Sequence, residues 1–405
     1  MNANELTPRT PRARLQATLC GAPVDRLPVA PLYLHLYLAR QVRRHALLGY
    51  RRWMGDRKEV ALEPEAELAI QGQAIISAWK SLSVTPDWIW TQQLPATDWL
   101  AECVLIRDGR RLWRVHQPSG VREELSGPRT SGDETDLWKT PIPDTRQAIE
   151  ARIPVTSADD LLSSGAMDLV RYLLDAVGDE IFVYGKMGTP FWKCYLPLGF
   201  HGLMTLPLQR PELMHRIVER STESLKALAE AYCRVGVHGV FLEQCLTSAD
   251  LISPEIYETF VLPYDRTILN TFKQASIPTV LYVCGDIVPR LPYLADLGPA
   301  ALAVEEPKKG FQNDLAEVAV GIGDQAALFG NLDATRIADW DRSQLLRQLK
   351  TQVRASRSAR GFVVSMGSPF PLDTPVEKVA AFTEAARSPE LARIAKGMDN
   401  GDSTR

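Results

Sequence analysis

Five residues of this 405-residue chain stand where short apolar runs end: Glu243, Tyr282, Cys284, Glu305 and Glu306. A carboxyl group placed there is costly to bury unless it has a partner or a task, and burial tunes it towards proton exchange near neutral pH. A phenol or a thiol in the same place can donate a hydrogen bond or act as a nucleophile. Equivalent run ends carry Tyr33 and His35 in "DRLPVAPLYLHL", Tyr184 and Lys186 in "DEIFVYGKMGTP", and Gln244 and Cys245 beside Glu243. Asp286 follows Cys284-Gly285, Asn331 and Asp333 close "QAALFGNLD", and Ser365 and Ser368 close "RGFVVSMGS". The five are expected to be catalytic. Tyr33, His35, Tyr184, Lys186, Tyr195, Gln244, Asp286, Asn331 and Ser368 are expected to bind substrate.

Each has a plainer reading. Cys245 and Cys284 can be small buried apolar side chains. Glu305 and Glu306 point to opposite sides of an extended chain, so one would face the interior and the other meet Lys308 or Lys309. Tyr195, next to Phe191 and Trp192, can simply pack, and Asn331 can hold its own loop. Glu243 after "GVFL" is the residue for which a task outweighs packing.

The elements that would position these groups are eight apolar runs: 25–36, 85–92, 179–190, 237–245, 276–285, 299–307, 325–333 and 360–368. Amphipathic stretches alternate with them. Over 210–236, Met214, Ile217, Val218, Leu225 and Leu228 recur at helical spacing and Gly236 suits the C-terminal cap. Ser253, Pro254 and Glu255 open a helix expected over 253–275. Helical patterns recur at 343–356 and 374–387. Strands alternating with helices imply parallel pairing through right-handed crossovers, and eight of them a closed (β/α)8 TIM barrel, with an open doubly wound sheet as the alternative. In such a barrel the reactive groups gather at the C-terminal strand ends. Residues 97–127 break the rhythm. Asp108-Gly109 and Ser119-Gly120 sit between alternating segments, so two or three antiparallel strands are expected there, serving as a dimer surface or a lid. The whole chain reads as one barrel domain with flexible tails at about 1–10 and 396–405.

Composition narrows the class. Hydrophobic residues are 45% and charged residues 23%, with a net charge of −3. That balance fits a globular protein and offers no basic field for nucleic acid or an anionic membrane. No run reaches the roughly 18 apolar residues of a membrane span. "MNANELTPRTPRARLQ" has no apolar core of a secretion signal, and the six cysteines form no CxxC pair, so reduced thiols in a cytoplasm are expected.

Three segments together, "LISPEIYETFVLPYDRTILNTFKQASIPTVLYVCGDI", "GNLDATRI" and "GFVVSMGSPFPLDTPVEKVAAFTEAAR", resemble the uroporphyrinogen decarboxylase superfamily. "GKMGTPFWKCYLPLGFHGLMTLPLQRPELMHRIVE" adds to the likeness, which covers about 150–390 and, more loosely, 10–60. The resemblance implies a (β/α)8 barrel with its site in the cleft at the strand ends. True decarboxylases of this superfamily hold a tetrapyrrole through an N-terminal segment of the kind "RQAGRY". Here "PLYLHLYLARQVRRHALLGY" has tyrosines and histidine in its place, with Arg40, Arg43 and Arg44 further on, so uroporphyrinogen itself is not the expected substrate. The β insertion and the wording of "LISPE" and "CGDI" look closer to the methylcobalamin-dependent methyltransferases, of the methylcobamide:coenzyme M type. That branch holds zinc through a His-x-Cys and a later Cys; the matching positions here are Tyr282, Cys284 and Ser368, so no zinc site of that composition is expected. The resemblance thus implies a small-molecule methyltransferase or demethylase. Its methyl carrier would be methylcobalamin, presented by a separate corrinoid protein, or tetrahydrofolate. The alternative is a metal-independent decarboxylase or lyase of a small carboxylated metabolite, with Lys186 or Arg290 holding a carboxylate.

Overall fold

The computed structural model describes residues 9–126, 140–308 and 310–398. The expected tails fall largely outside these residues, as does the last position of the expected insertion. The described strands, in chain order, are β1 (Glu59–Ala61), β2 (Trp88–Trp90), β3 (Cys103–Asp108), β4 (Arg111–His116), β5 (Arg122–Glu124) and β6 (Phe182–Gly188). They continue with β7 (Gly239–Gln244), β8 (Thr279–Val283), β9 (Ala301–Val304), β10 (Ala327–Phe329) and β11 (Phe362–Val363).

Seven of them form one parallel sheet in the order β11-β10-β9-β8-β7-β6-β2. The first apolar run supplies the missing stave between β11 and β2. Val29 bridges Val364 in parallel, the Ala30 N–H donates to the Val364 carbonyl at 3.0 Å and the Val364 N–H to the Pro28 carbonyl at 2.9 Å. On its other side the Asp87 N–H donates to the Val29 carbonyl at 2.7 Å. Pro28 and Pro31 flank this stave, and a residue without an N–H cannot extend a ladder, which keeps the stave to a bridge. The curled sheet closes as the expected TIM-type barrel. Its strands are buried on both faces, which is why they read as continuous apolar runs.

The helix over Pro211–Val235 ends at Gly236, whose φ of +82° suits a residue without a Cβ. The single helix expected over 253–275 is instead two, Pro254–Phe260 and Leu262–Gln274, parted at Val261. Pro263 has no N–H to continue the ladder and crowds Leu262, so the chain restarts there. The insertion also departs from expectation. Three of its segments are strands, but Thr97–Ala101 is helical, and β1 from ahead of β2 joins the antiparallel order β1-β3-β4-β5. This second sheet does not project. Cys103, Leu105 and Leu112 pack against Tyr50 and Met54 of helix Ala39–Met54 and Ala74 of helix Pro64–Lys80.

Candidate functional site at the barrel mouth

The lumen is floored by aromatic rings from several staves. Trp88 of β2 stacks on Tyr184 of β6 at 4.1 Å, and Phe241 of β7 lies 5.8 Å from Tyr282 of β8. Tyr33 meets Phe241 and Tyr282 edge-on at 5.4 Å and 5.2 Å. Side chains two residues apart on a strand share a face, so the next positions up must also face the lumen: Lys186, Glu243 and Cys284. Tyr33 reaches in because it adopts a left-handed conformation, φ 54°, ahead of a one-turn helix. Such a backbone is uncommon for a bulky residue and marks a constrained position.

Glu243 is the acid of this layer. Burial raises its carboxyl above the usual range, opposed by the Lys186 charge and a hydrogen bond from Tyr33. Burial likewise raises the Tyr33 and Tyr282 phenols, which stay protonated and serve as donors. Burial, with Lys186 nearby, lowers His35 to about 3, so its imidazole is neutral at pH 7. His35 Nδ1 is buried and has no hydrogen-bond partner among the described residues.

Cys245 and Cys284, one step beyond β7 and β8, bring their sulfurs to 3.0 Å. The Cys284 contact, then burial, raises the Cys245 thiol. Gly285, at φ +81°, turns the chain directly after Cys284, and a Cβ there would fall 2.4 Å from the Ser248 hydroxyl. This is the structural reason for a glycine after the thiol. The Gly285 N–H donates to Glu305 Oε2 at 2.8 Å.

The alternation expected for Glu305 and Glu306 fails because β9 ends at Val304. Both carboxylates turn to the same ammonium: Lys308 Nζ lies 2.8 Å from Glu305 and 2.9 Å from Glu306. Ser368 donates to Glu306 Oε1 at 2.6 Å, and Glu306 Oε2 is buried without a partner among the described residues. The Tyr282 hydroxyl donates to the Gly367 carbonyl at 2.7 Å.

Other expected site residues lie apart from this group. Gln244 points out of the barrel, donating to Asp265 at 2.6 Å and accepting from Tyr257 at 3.2 Å. Asn331 donates to the Asn313 carbonyl at 2.9 Å and accepts from Gln352 at 3.1 Å, so its amide holds loops together. Tyr195 stacks on Trp192 at 5.2 Å and packs on a separate apolar cluster. Asp286 is half-buried, and its backbone N–H donates to Asp250 Oδ1 at 3.1 Å. Arg290 is buried over the Tyr257 ring at 4.5 Å and donates to the Ile252 carbonyl, which removes it as a lumen cation. Residue-by-residue reading missed Trp88 and Phe241, although stepping back two from Trp90 and Glu243 points to both.

The mouth continues sideways into a cavity of about 480 Å³. His35, Trp90 and Lys186 line its barrel side, and Arg43, Arg114 and Leu125 its outer side. A cavity of about 370 Å³ at the opposite end, near Leu27 and Phe362, contains no acid or thiol.

The three positions matched to zinc ligands do not fit that metal. Tyr282 and Ser368 are engaged as above, and among the described residues no three His, Cys, Asp or Glu side chains are grouped so as to hold a metal ion. No helix of the described residues is long and apolar enough to cross a membrane.

Residues 140–389 match the family model described as uroporphyrinogen decarboxylase (URO-D). The chain belongs to this family. Among its relatives, a methylated-thiol–coenzyme M methyltransferase of Methanosarcina mazei is 24% identical over 272 residues, covering 67% of each protein. A uroporphyrinogen decarboxylase of Trichormus variabilis is 24% identical over 291 residues, 68% of this chain and 80% of that one. A methylcobamide:CoM methyltransferase of Methanosarcina barkeri is 28% identical over 169 residues, 42% of this chain and 48% of that one. A solved methyltransferase structure from Methanosarcina mazei aligns with a TM-score of 0.59 at 20% identity, covering 94% of this chain and 98% of that one. That likeness establishes the shared fold. Relatives of this chain thus include both methyltransferases and decarboxylases.

Proposed function

We propose that this URO-D family chain works as one barrel domain that transfers a methyl group to or from a small molecule, with a corrinoid- or pterin-borne carrier as the other party. The observation that carries the reading is Glu243: a carboxyl group raised by burial, above an aromatic floor, between Lys186 and the thiol pair. A carboxyl group shifted towards neutrality suits proton transfer to or from a reacting atom. The carrier supplies an electrophilic methyl group. As the acceptor X–H forms its X–C bond, the carbon–carrier bond pair stays with the carrier and the acceptor's proton passes to Glu243. Tyr33 donates a hydrogen bond to Glu243 and steadies its ionised form; Lys186 lowers the cost of that charge. Tyr184, Tyr282 and Phe241 exclude water from below. The affinity for methylcobalamin or tetrahydrofolate, a corrinoid protein as partner and a cytoplasmic setting follow from this reading.

The test is a mixture of purified protein, either methylcobalamin or methyltetrahydrofolate, and a panel of thiol, amine and phenol acceptors, followed by product mass and, for the corrinoid, absorbance. Methyl transfer in the wild type, reduced about 10²–10⁴-fold in Glu243→Gln with circular dichroism unchanged, is the expected result. No transfer to any acceptor, with either carrier, would remove the reading.

One observation favours a second reading. A carboxyl group raised as Glu243 is can also deliver a proton to the carbon left after carbon dioxide departs. Carbon dioxide release from a small acid, without a methyl carrier, would select decarboxylation.

A further inference from the structure

We propose that Cys245 and Cys284 form a reversible dithiol–disulfide site at the barrel mouth, closed by exchange with a small-molecule disulfide. Four observations carry this. The two sulfurs are 3.0 Å apart, and each is the other's hydrogen-bond partner. The register of β7 and β8 pairs Gln244 with Val283, so Cys245 and Cys284 are the next opposed pair. Neighbouring strands run about 4.7–4.9 Å apart, inside the window of about 4.4–6.8 Å that a disulfide spans between α-carbons. Both residues are half-buried, so a small reagent can reach them from the mouth.

The backbone holds them in place. The Cys284 N–H donates to the Gln244 carbonyl at 3.4 Å, prolonging the ladder to the cysteines. Directly afterwards both strands turn through left-handed residues, Leu246 at φ +59° and Gly285 at φ +81°. The remaining cysteines are built differently. Cys103 and Cys194 are buried, with their thiols on the carbonyls of Trp99 and Pro190. The Cys233 thiol faces the Thr271 carbonyl and Cys20 is exposed, so among the described residues this is the sole thiol–thiol contact.

The exchange balances without any other reactant. One thiol gives up its proton and attacks a sulfur of the incoming RSSR, making a mixed disulfide and releasing RS⁻, which takes the proton. The second thiol then attacks the protein sulfur of the mixed disulfide and releases the second RSH. Two protein thiols are oxidised and one small disulfide is reduced. The site thereby loses two S–H groups beside Tyr282, Glu243 and Glu305, and excess small thiol restores them. The exchange is independent of the methyl-transfer reading: a chain without methyl transfer that still forms the link would lose that reading and keep this one.

The full chain is incubated with oxidised glutathione, alkylated, digested and analysed by mass spectrometry. The expected result is a linked pair of peptides carrying Cys245 and Cys284, lost on adding dithiothreitol and absent in Cys284→Ser. Cys20, exposed and alone, takes a single glutathione and reports that the reagent is active. Full alkylation of both residues while Cys20 is modified would overturn the proposal. So would two stable glutathione adducts, or one zinc per chain bound to the pair and protecting it.

Discussion

Asp265 shows how far burial can move one group. Its side chain is fully buried; Oδ2 accepts from Gln244 at 2.6 Å and Oδ1 has no partner among the described residues. Burial raises this carboxyl from 3.8 to about 7, against the Gln244 hydrogen bond. The folded chain therefore keeps a proton up to about pH 7 that the unfolded chain releases near 3.8. Stability contributed by that proton is complete below the lower value, falls as pH rises between the two, and is gone above the higher. A shift of this size corresponds to an upper figure on the order of 4 kcal/mol. Asp265→Asn, which keeps the acceptor for Gln244, should flatten the loss of stability between pH 5 and 8 and leave the variant more stable at pH 8. Urea unfolding at the two pH values measures both. His35 titrates in the opposite sense: lowered to about 3, it contributes stability that is lost as pH falls below its ordinary value of 6.5. At this scale the sequence was readable where a strand's alternation continued to its end. Glu243 and Lys186 followed from it. Gln244 ends the same run and so reads as a mouth residue, yet it is one step out of phase and faces the helix carrying Asp265. Glu305 and Glu306 could not be sorted because their strand stops one residue too early for alternation to apply.

Closure of the barrel depends on an acid at the other end of the staves. Asp87, fully buried just ahead of β2, accepts from Arg14 at 2.9 Å, from Arg26 at 2.8 and 2.7 Å, and from the Val29 N–H at 2.7 Å. One carboxylate thus ties the N-terminal helix, the first stave and β2 together. The first stave has few ladder bonds of its own, so it relies on this clamp more than its neighbours do. Asp87→Ala would leave Arg14, itself almost fully buried, with Asp25 as its remaining carboxylate, and would strip Arg26 and the Val29 N–H of their shared acceptor. Breaking a buried pair from one side costs about 3–5 kcal/mol, and chemical denaturation should show a loss in that range. Arg12→Ala, which removes a side chain that donates to the Gly178 carbonyl at 3.1 Å, should cost far less. The barrel was readable from the chain because parallel staves buried on both faces produce uninterrupted apolar runs. The clamp was not, because a lone aspartate in "TPDWIW" has the same appearance whether it caps a turn or binds two arginines. The split at Val261 was hidden by an otherwise intact helical pattern, although Pro263 marks it.

On the scale of the molecule, the inserted sheet and the barrel share one opening. Tyr50 donates to Glu67 at 2.6 Å, and Arg114 of β4 reaches the same carboxylate at 3.0 Å. This network fastens the sheet to the two helices beside the mouth, and the cavity of about 480 Å³ lies between them. A substrate of the proposed reaction would enter past the insertion, with Trp90 and His35 on one side and Leu125 on the other. Access is then set by the width of this gap, while proton transfer is set by Glu243 deeper in. Ala39 lines the cavity from helix Ala39–Met54 and is exposed, so Ala39→Trp narrows the gap without disturbing the core. The expected outcome is a KM raised about tenfold, a change of about 1.4 kcal/mol, with kcat within about twofold and thermal unfolding unchanged. Leu48→Trp, on an exposed position of the same helix that does not line the cavity, should leave KM as it was. Equal KM values for the two variants would mean that substrate reaches Glu243 by another route, and that the insertion serves the barrel only as a buttress.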